Sequence, residues 1–326
     1  MKIIQLESHD VYFNLAAEEY LFSQFDGTEP YFLIWQNQNS VVVGKHQNTV
    51  EEVDLDFASR HAVQVARRLS GGGAVYHDLG NLNYSIIVHS DEMRWDIKRM
   101  ADPVVEALRR AGVDVSLNQR NDLLIAGKKI SGSSQYIRRN RLLHHGTLLF
   151  HSDLTLLSRA LKPGHDRVQS RSIKSVRSQV TNICDHYPDV TIPAFIAILM
   201  DVLAGLYTVE AYHFTNQDLA AITRLKDEKY STWDWIYARS PEYSITKTRY
   251  FNGGDLEISM VIKNGVIQAL EIDAVDASQK QLAEIEECLI GVKMRKHDIA
   301  QAIGTNKRGL SLSAMAAADL ARAIIN

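Results

Sequence analysis

Three consecutive glycines, Gly71 to Gly73, lie between two runs that read as β-strands, residues 62–66 and 82–88. Glycine lacks Cβ, so its backbone reaches φ > 0 and can approach a ligand closely. A run of such residues exposes several N–H donors, the usual cradle for phosphate oxygens. Arg67 and Arg68 precede the run, and a planar guanidinium suits phosphate. The spacing excludes the nucleotide loops that open a helix: no Gly-Lys-Ser/Thr follows, and a strand comes next. Two readings stay open, a glycine-rich turn between strands and a strand–loop–strand anion site.

Composition narrows the setting. The 326 residues are 45% hydrophobic and 23% charged, ordinary for a globular chain. The length suggests one large domain with a smaller one, or two domains. Two cysteines, Cys184 and Cys288, exclude a disulfide framework or a Cys-rich zinc site. They suit a reducing cytoplasm. The first ten residues hold no apolar h-region, so no signal peptide is expected. The most apolar stretch, 192–206, carries Asp201 and is too short to span a bilayer. Net charge is −3, yet residues 120–180 hold twelve Lys/Arg against three Asp/Glu. Such a segment suits an anionic partner. No nucleic-acid motif accompanies it.

Periodicity predicts helices at 10–25, 51–60, 193–206 and 217–229, the last capped by Asn216. An apolar stripe from Ile97 to Ala111 contains Pro103, which either kinks a helix or starts one at Asp102-Pro103. Strands are predicted at 31–35, 41–43, 113–117, 122–126, 129–136 and 146–151. Residues 163–178 are basic and aperiodic and read as a mobile loop. Asn264-Gly265 between alternating runs predicts a two-residue hairpin turn joining 256–263 to 266–272. Helices are expected at 277–290, 295–303 and 311–325.

Lys128 and Lys129 sit where a hairpin turn enters a strand. Alternation lets only one of them face a pocket; both could equally be a solvated basic turn. His144 and His145 are adjacent on a strand and point to opposite faces, so they do not form a zinc pair.

Residues 67–85 read RRLSGGGAVYHDLGNLNYS and residues 121–135 read NDLLIAGKKISGSSQ. With HHGTLL at 144–149, IKSVRSQVTNI at 173–183 and WDWIYARSPEY at 233–243, they resemble the signature segments of the lipoate–protein ligases. The resemblance covers nearly the whole chain. It is most specific in the first two segments and weaker past 270. Ile236 and Ala238 stand where the family has Asn and Gly.

The resemblance implies an α/β (α+β) fold of the class II aminoacyl-tRNA synthetase and biotin-ligase type. A catalytic domain of 1–246 with a mixed sheet would precede a small α+β accessory domain of 247–326. It implies ATP-dependent activation of lipoate to lipoyl-AMP, with Mg²⁺, and lipoyl transfer to a lysine. Acceptors would be lipoyl domains of 2-oxo acid dehydrogenase acyltransferase subunits or the glycine cleavage H protein. The chain is expected to act as a monomer in the cytoplasm, without membrane or nucleic acid.

Lys129 falls at the family's essential lysine. Arg68, Ser70, Gly71, Gly72, Gly73, Ala74, Val75, Tyr76, His77 and Asn83 would line the ATP and lipoyl-AMP pocket. Asn121, Asp122, Ser131, Gly132, His145 and Thr147 would join them, with Asp122 as the candidate Mg²⁺ ligand. Arg177 would contact the acceptor or the adenylate. The accessory domain would close for activation about a hinge from Ser240-Pro241 to Ile245. Related octanoyl and lipoyl amidotransferases share the fold but use a nucleophilic cysteine and no ATP. Cys184, with His186 near in sequence, is the candidate for that alternative.

Overall fold

The computed structural model describes residues 1–89, 97–161, 166–176, 178–251, 254–274, 279–305 and 317–325. They form two compact units. The first comprises Met1–Lys45, Ala62–Leu161 and Ser175–Thr232, and the second comprises His46–His61, Lys162–Lys174 and Trp233–Asn326.

A six-stranded mixed sheet carries the first unit. Its order is Ser133–Arg138, Arg141–Leu149, Asn81–His89, Tyr31–Trp35, Lys2–Gln5 and Glu210–Ala211. Lys2–Gln5 runs parallel to both neighbours and the remaining pairs are antiparallel. Side chains alternate along Asn81–His89, so its two faces carry different chemistry. Leu82, Tyr84, Ile86 and Val88 join Phe32, Ile34, Met100, Val104, Leu108, Phe195 and Leu199 in the main core. That contact sets helices Ile97–Arg110 and Ile192–Leu206 on one face. Asn83 and Ser85 occupy the other face, where Ser85 Oγ donates to Glu18 of helix Val11–Gln24 at 2.6 Å. The neighbouring strand keeps the division: His145 and Thr147 stand opposite Ser85 and Asn83.

Two three-stranded sheets complete this unit. In one, Ser40–Val43 lies between Gln64–Arg67 and Val75–His77. The glycine run therefore crosses the end of Ser40–Val43, from one edge strand to the other. Gly44 permits the crossing, because a Cβ there would stand 2.2 Å from the Gly72 carbonyl oxygen. The other sheet is a meander of Ser116–Leu117, Leu123–Ile125 and Lys128–Ser131.

The second unit is an antiparallel sheet in the order Arg167–Ser170, Tyr243–Phe251, Gly254–Lys263 and Val266–Ala274. Helices Gln279–Leu289, Lys296–Thr305 and Ala317–Ile325 share its core. Asn264 and Gly265 both take positive φ, 51° and 71°, as the two-residue turn requires.

Several expectations shift. The helix expected over 51–60 is two, Thr49–Glu52 and Leu55–Arg60, because Asp54 caps the second by accepting from Phe57 N–H. The strand expected over 129–136 breaks at Gly132, and its halves enter different sheets. Thr215, not Asn216, caps the helix Asn216–Leu225 through a reciprocal box with Asp218. Pro103 lies inside Ile97–Arg110 rather than at its start. The loop expected over 163–178 contains the strand Arg167–Ser170. Tyr243–Phe251 carries the chain across residue 246, and Ile245 is buried and paired on both sides, so a hinge reaching Ile245 has no free backbone. Residues 306–316, where part of the last expected helix falls, lie outside the described residues. Among the described residues no helix is long and apolar enough to cross a membrane.

Candidate functional site

The glycine loop is held from beneath by arginine. Arg68 is buried, and its Nη2 donates to the carbonyls of Gly71 at 2.5 Å and Gly73 at 2.8 Å. Its Nη1 reaches the Val42 carbonyl at 3.0 Å and its Nε reaches Ser70 Oγ at 3.0 Å. In a trans peptide the N–H points opposite the C=O. Holding the Gly71 and Gly73 carbonyls on Arg68 therefore turns the Gly72 and Ala74 N–H groups the other way. Ala74 N–H meets Ser175 Oγ at 2.8 Å. Gly72 sits at φ 84°, a conformation that side chains disfavour. Arg67 Nη1 binds the Gly44 and Lys45 carbonyls at 3.0 and 3.2 Å. Burial pulls both guanidinium groups down to about 10, which leaves them charged at neutral pH.

Behind the loop runs a buried polar chain. Ser70 Oγ bonds His145 Nε2 at 2.6 Å, and His145 Nδ1 bonds Glu18 Oε1 at 2.9 Å. The same carboxylate accepts from Ser85 Oγ, which accepts from Trp35 Nε1 at 2.9 Å. Each member is satisfied by the next, which is what makes a buried polar network rigid.

Lys129 lies on the strand Lys128–Ser131. Lys128 is exposed, whereas Lys129 is half-buried with Nζ 2.8 Å from Asp122 Oδ1. Asp122 is fixed in turn by Asn118, whose Nδ2 donates to Oδ2 at 3.0 Å. Gly132 leaves the space for the ammonium: a Cβ there would lie 2.8 Å from Nζ. Thr147 N–H donates to the Gly132 carbonyl at 3.0 Å, Gly132 N–H donates to Thr147 Oγ1 at 3.3 Å, and Ser134 Oγ donates to the Gly71 carbonyl at 3.0 Å. The lysine segment and the glycine loop are thereby tied together within one unit.

His77 and Asn83 flank Trp35. The His77 ring meets the indole edge-on at 5.9 Å, and Asn83 pairs with Trp35 across the sheet. Burial, with the neighbouring Arg68 guanidinium, pushes the imidazole of His77 down to about 3. Val75 and Tyr76 share its strand, and Tyr76 is buried. Ser131 bonds the Tyr84 hydroxyl. Asn121 takes φ 61° in the turn before Asp122 and donates its N–H to Asn118. His144 points into the core beside Tyr84, where burial pushes it down to about 3. Arg177 lies outside the described residues.

Among the described residues no group of three His, Cys, Asp or Glu could hold a metal ion. Asp122 is committed to Lys129, so a magnesium ion would gain at most that one carboxylate and would rely on substrate phosphates. Cys184 makes its side-chain contact with Asp185 at 4.0 Å. Burial and that carboxylate push the thiol up, the reverse of what an activated nucleophile needs. His186 Nε2 bonds Thr181 instead.

Sequence reasoning missed Glu18, Trp35, Asn14, Asn37 and Ser134. Glu18 left one signal, an acid directly after the buried Ala16-Ala17 pair of an apolar helix stripe.

The lipoyl protein ligase A/B catalytic domain model matches residues 10–204, and the bacterial lipoate protein ligase C-terminus model matches residues 240–324. The chain is 36% identical to the lipoate-protein ligase LplJ of Bacillus subtilis, over 90% of this chain and 91% of the relative. A lipoate-protein ligase A solved with bound ATP aligns at 30% identity and TM-score 0.63, over 72% of this chain and 97% of its own. A chain from the solved bipartite lipoate protein ligase and E2 lipoyl domain of Thermoplasma acidophilum aligns at 31% identity and TM-score 0.61, over 72% and 95%.

Proposed function

The chain belongs to the lipoate–protein ligases, and on that premise we propose that it works in two steps. Lipoate and ATP would give lipoyl-AMP and pyrophosphate, and an acceptor lysine would then displace AMP. The observation that carries this reading is Lys129, held 2.8 Å from Asp122 in space that Gly132 leaves free.

The first step brings a carboxylate to the α-phosphate of ATP, two anions that repel. The ammonium of Lys129 lowers that repulsion, and the Gly72 N–H, turned away from Arg68, receives a phosphate oxygen. In the second step the same ammonium stabilises charge developing on the attacked carbonyl oxygen. Donors placed before charge develops are often the largest catalytic contribution. Asp122 holds the lysine until substrate replaces it as the counter-anion. When bound, Mg²⁺ would neutralise charge on the nucleotide phosphates, and Asp122 is the one carboxylate proposed to help hold it.

Neither step requires a protein nucleophile, which fits the unactivated thiol of Cys184. Acceptors would be lipoyl domains of 2-oxo acid dehydrogenase acyltransferase subunits, a reading supported by the E2 lipoyl domain solved with the archaeal ligase, or the glycine cleavage H protein. Catalysis is assigned to the unit carrying Arg68 and Lys129, and an accessory role to the C-terminal residues 247–326. The test is pyrophosphate release from ATP. It should require lipoate and fall about 10²–10³-fold in Lys129→Ala. Release independent of lipoate, or a folded variant at the full rate, overturns the reading.

A further inference from the structure

His77 is buried and carries one ring nitrogen, Nε2, with no protein partner. Its other nitrogen, Nδ1, lies 2.9 Å from Asn37 Nδ2. Which nitrogen holds the proton follows from the amides behind it. Asn14 Nδ2 lies 2.8 Å from the Ser8 carbonyl and 2.9 Å from the Gln36 carbonyl. Backbone carbonyls only accept, so that atom of Asn14 is the NH₂ group. It faces Asn37 at 2.9 Å, so Asn37 must present its oxygen there and its NH₂ to His77. An NH₂ cannot accept, so Nδ1 is the acceptor and the imidazole proton resides on Nε2.

We propose that Asn37, oriented by Asn14, is a positioning residue that locks His77 as the Nε2–H tautomer, aimed at an oxygen acceptor of the bound acyl-adenylate. A buried N–H without a partner is costly, and a ligand oxygen would satisfy it. The surroundings agree. Asn83 lies beside the same indole and also has an unpartnered buried donor, Nδ2. Burial keeps the ring neutral, so it donates without adding a charge. The ligand named here rests on the ligase reading above; the tautomer does not.

The experiment uses the full chain labelled with ¹⁵N-histidine, with His77→Gln to assign the signal. Long-range ¹H–¹⁵N spectra of the free protein should show Nε2 protonated and Nδ1 bare, unchanged from pH 8 to pH 5. Lipoate alone, ATP with Mg²⁺ alone, and a non-hydrolysable lipoyl-AMP analogue are then added in turn. A shift of the Nε2 proton with lipoate assigns the acyl end, and one with ATP assigns phosphate. A shift with the analogue alone assigns the joined adenylate. Asn37→Asp replaces the donor by an acceptor of the same shape. It should move the proton to Nδ1 or charge the ring, and weaken analogue binding by up to about tenfold. A bare Nε2 in the free protein, titration near pH 6.5, or no shift with any of the three ligands overturns the proposal.

Discussion

Gly132→Ala isolates the claim that space, not only charge, places Lys129. The glycine has no positive φ, so alanine is compatible with its backbone. The new Cβ would stand 2.8 Å from Lys129 Nζ and 2.9 Å from Cε, with Asp122 Oδ1 further off at 3.8 Å. Ordinary contacts between such atoms begin near roughly 3.5 Å, so the ammonium must retreat by about 0.5–1 Å. The clash is with the end of a flexible side chain, so the fold should lose under about 1 kcal/mol. Catalysis should lose more, because a displacement of about 1 Å can cost about 10²-fold, or about 2.7 kcal/mol. Lipoate-dependent pyrophosphate release should therefore fall about 10–10²-fold, with the melting temperature nearly unchanged. Lys129→Ala sets the upper limit of that loss, and adding Gly132→Ala to it should cost nothing further, since both act through one ammonium. Full activity in Gly132→Ala, or a double variant showing the product of the two losses, refutes the reasoning.

Gly73→Val would place Cβ 3.0 Å from Ser175 Oγ and 3.3 Å from Ser175 Cα, driving residue 175 off the loop; calorimetry with a lipoyl-AMP analogue should show at least about tenfold weaker binding, given the cost of an imperfect fit. His77 and His144 are held near 3 by burial, so below pH 6.5 the unfolded chain binds more protons than the folded one. Their contribution is complete above pH 6.5 and is lost as pH falls towards 3, about 1.4 kcal/mol per unit for each. Thermal unfolding should show that slope, and His144→Gln should remove about half of it. Cys184→Ala should keep ATP-dependent lipoylation within about twofold, since surface-like substitutions away from a site cost little; gel-shift or mass measurement of the acceptor checks it.

What was legible in the sequence was whatever local chemistry dictates. The glycine run announced a backbone able to reach positive φ between two strands, and Gly72 does so at φ 84°; the close approach of Gly44 to it was not foreseen. Alternation allowed at most one of Lys128 and Lys129 to face a pocket, and the two do differ: Lys128 is exposed and Lys129 is half-buried against Asp122. Asn264-Gly265 announced its hairpin through turn geometry alone. The buried polar chain was not legible, because its pairs are distant in sequence. Glu18 meets His145, 127 residues away, and Asn37 meets His77, 40 residues away. The break at Gly132 was hidden for a related reason: which sheet each half joins depends on distant strands. Arg68 read as a phosphate ligand, whereas its guanidinium shapes the loop that would bind one.

The central claim is that this chain activates lipoate as an adenylate and uses no enzyme-bound thioester. The most direct measurement is a single-turnover mixture of enzyme, lipoate, ATP and Mg²⁺, quenched and analysed by mass spectrometry before any acceptor is added. The account predicts lipoyl-AMP at one equivalent per enzyme, an unmodified Cys184, and loss of the adenylate signal in Lys129→Ala. A lipoyl thioester on Cys184, formed equally well without ATP, would contradict it.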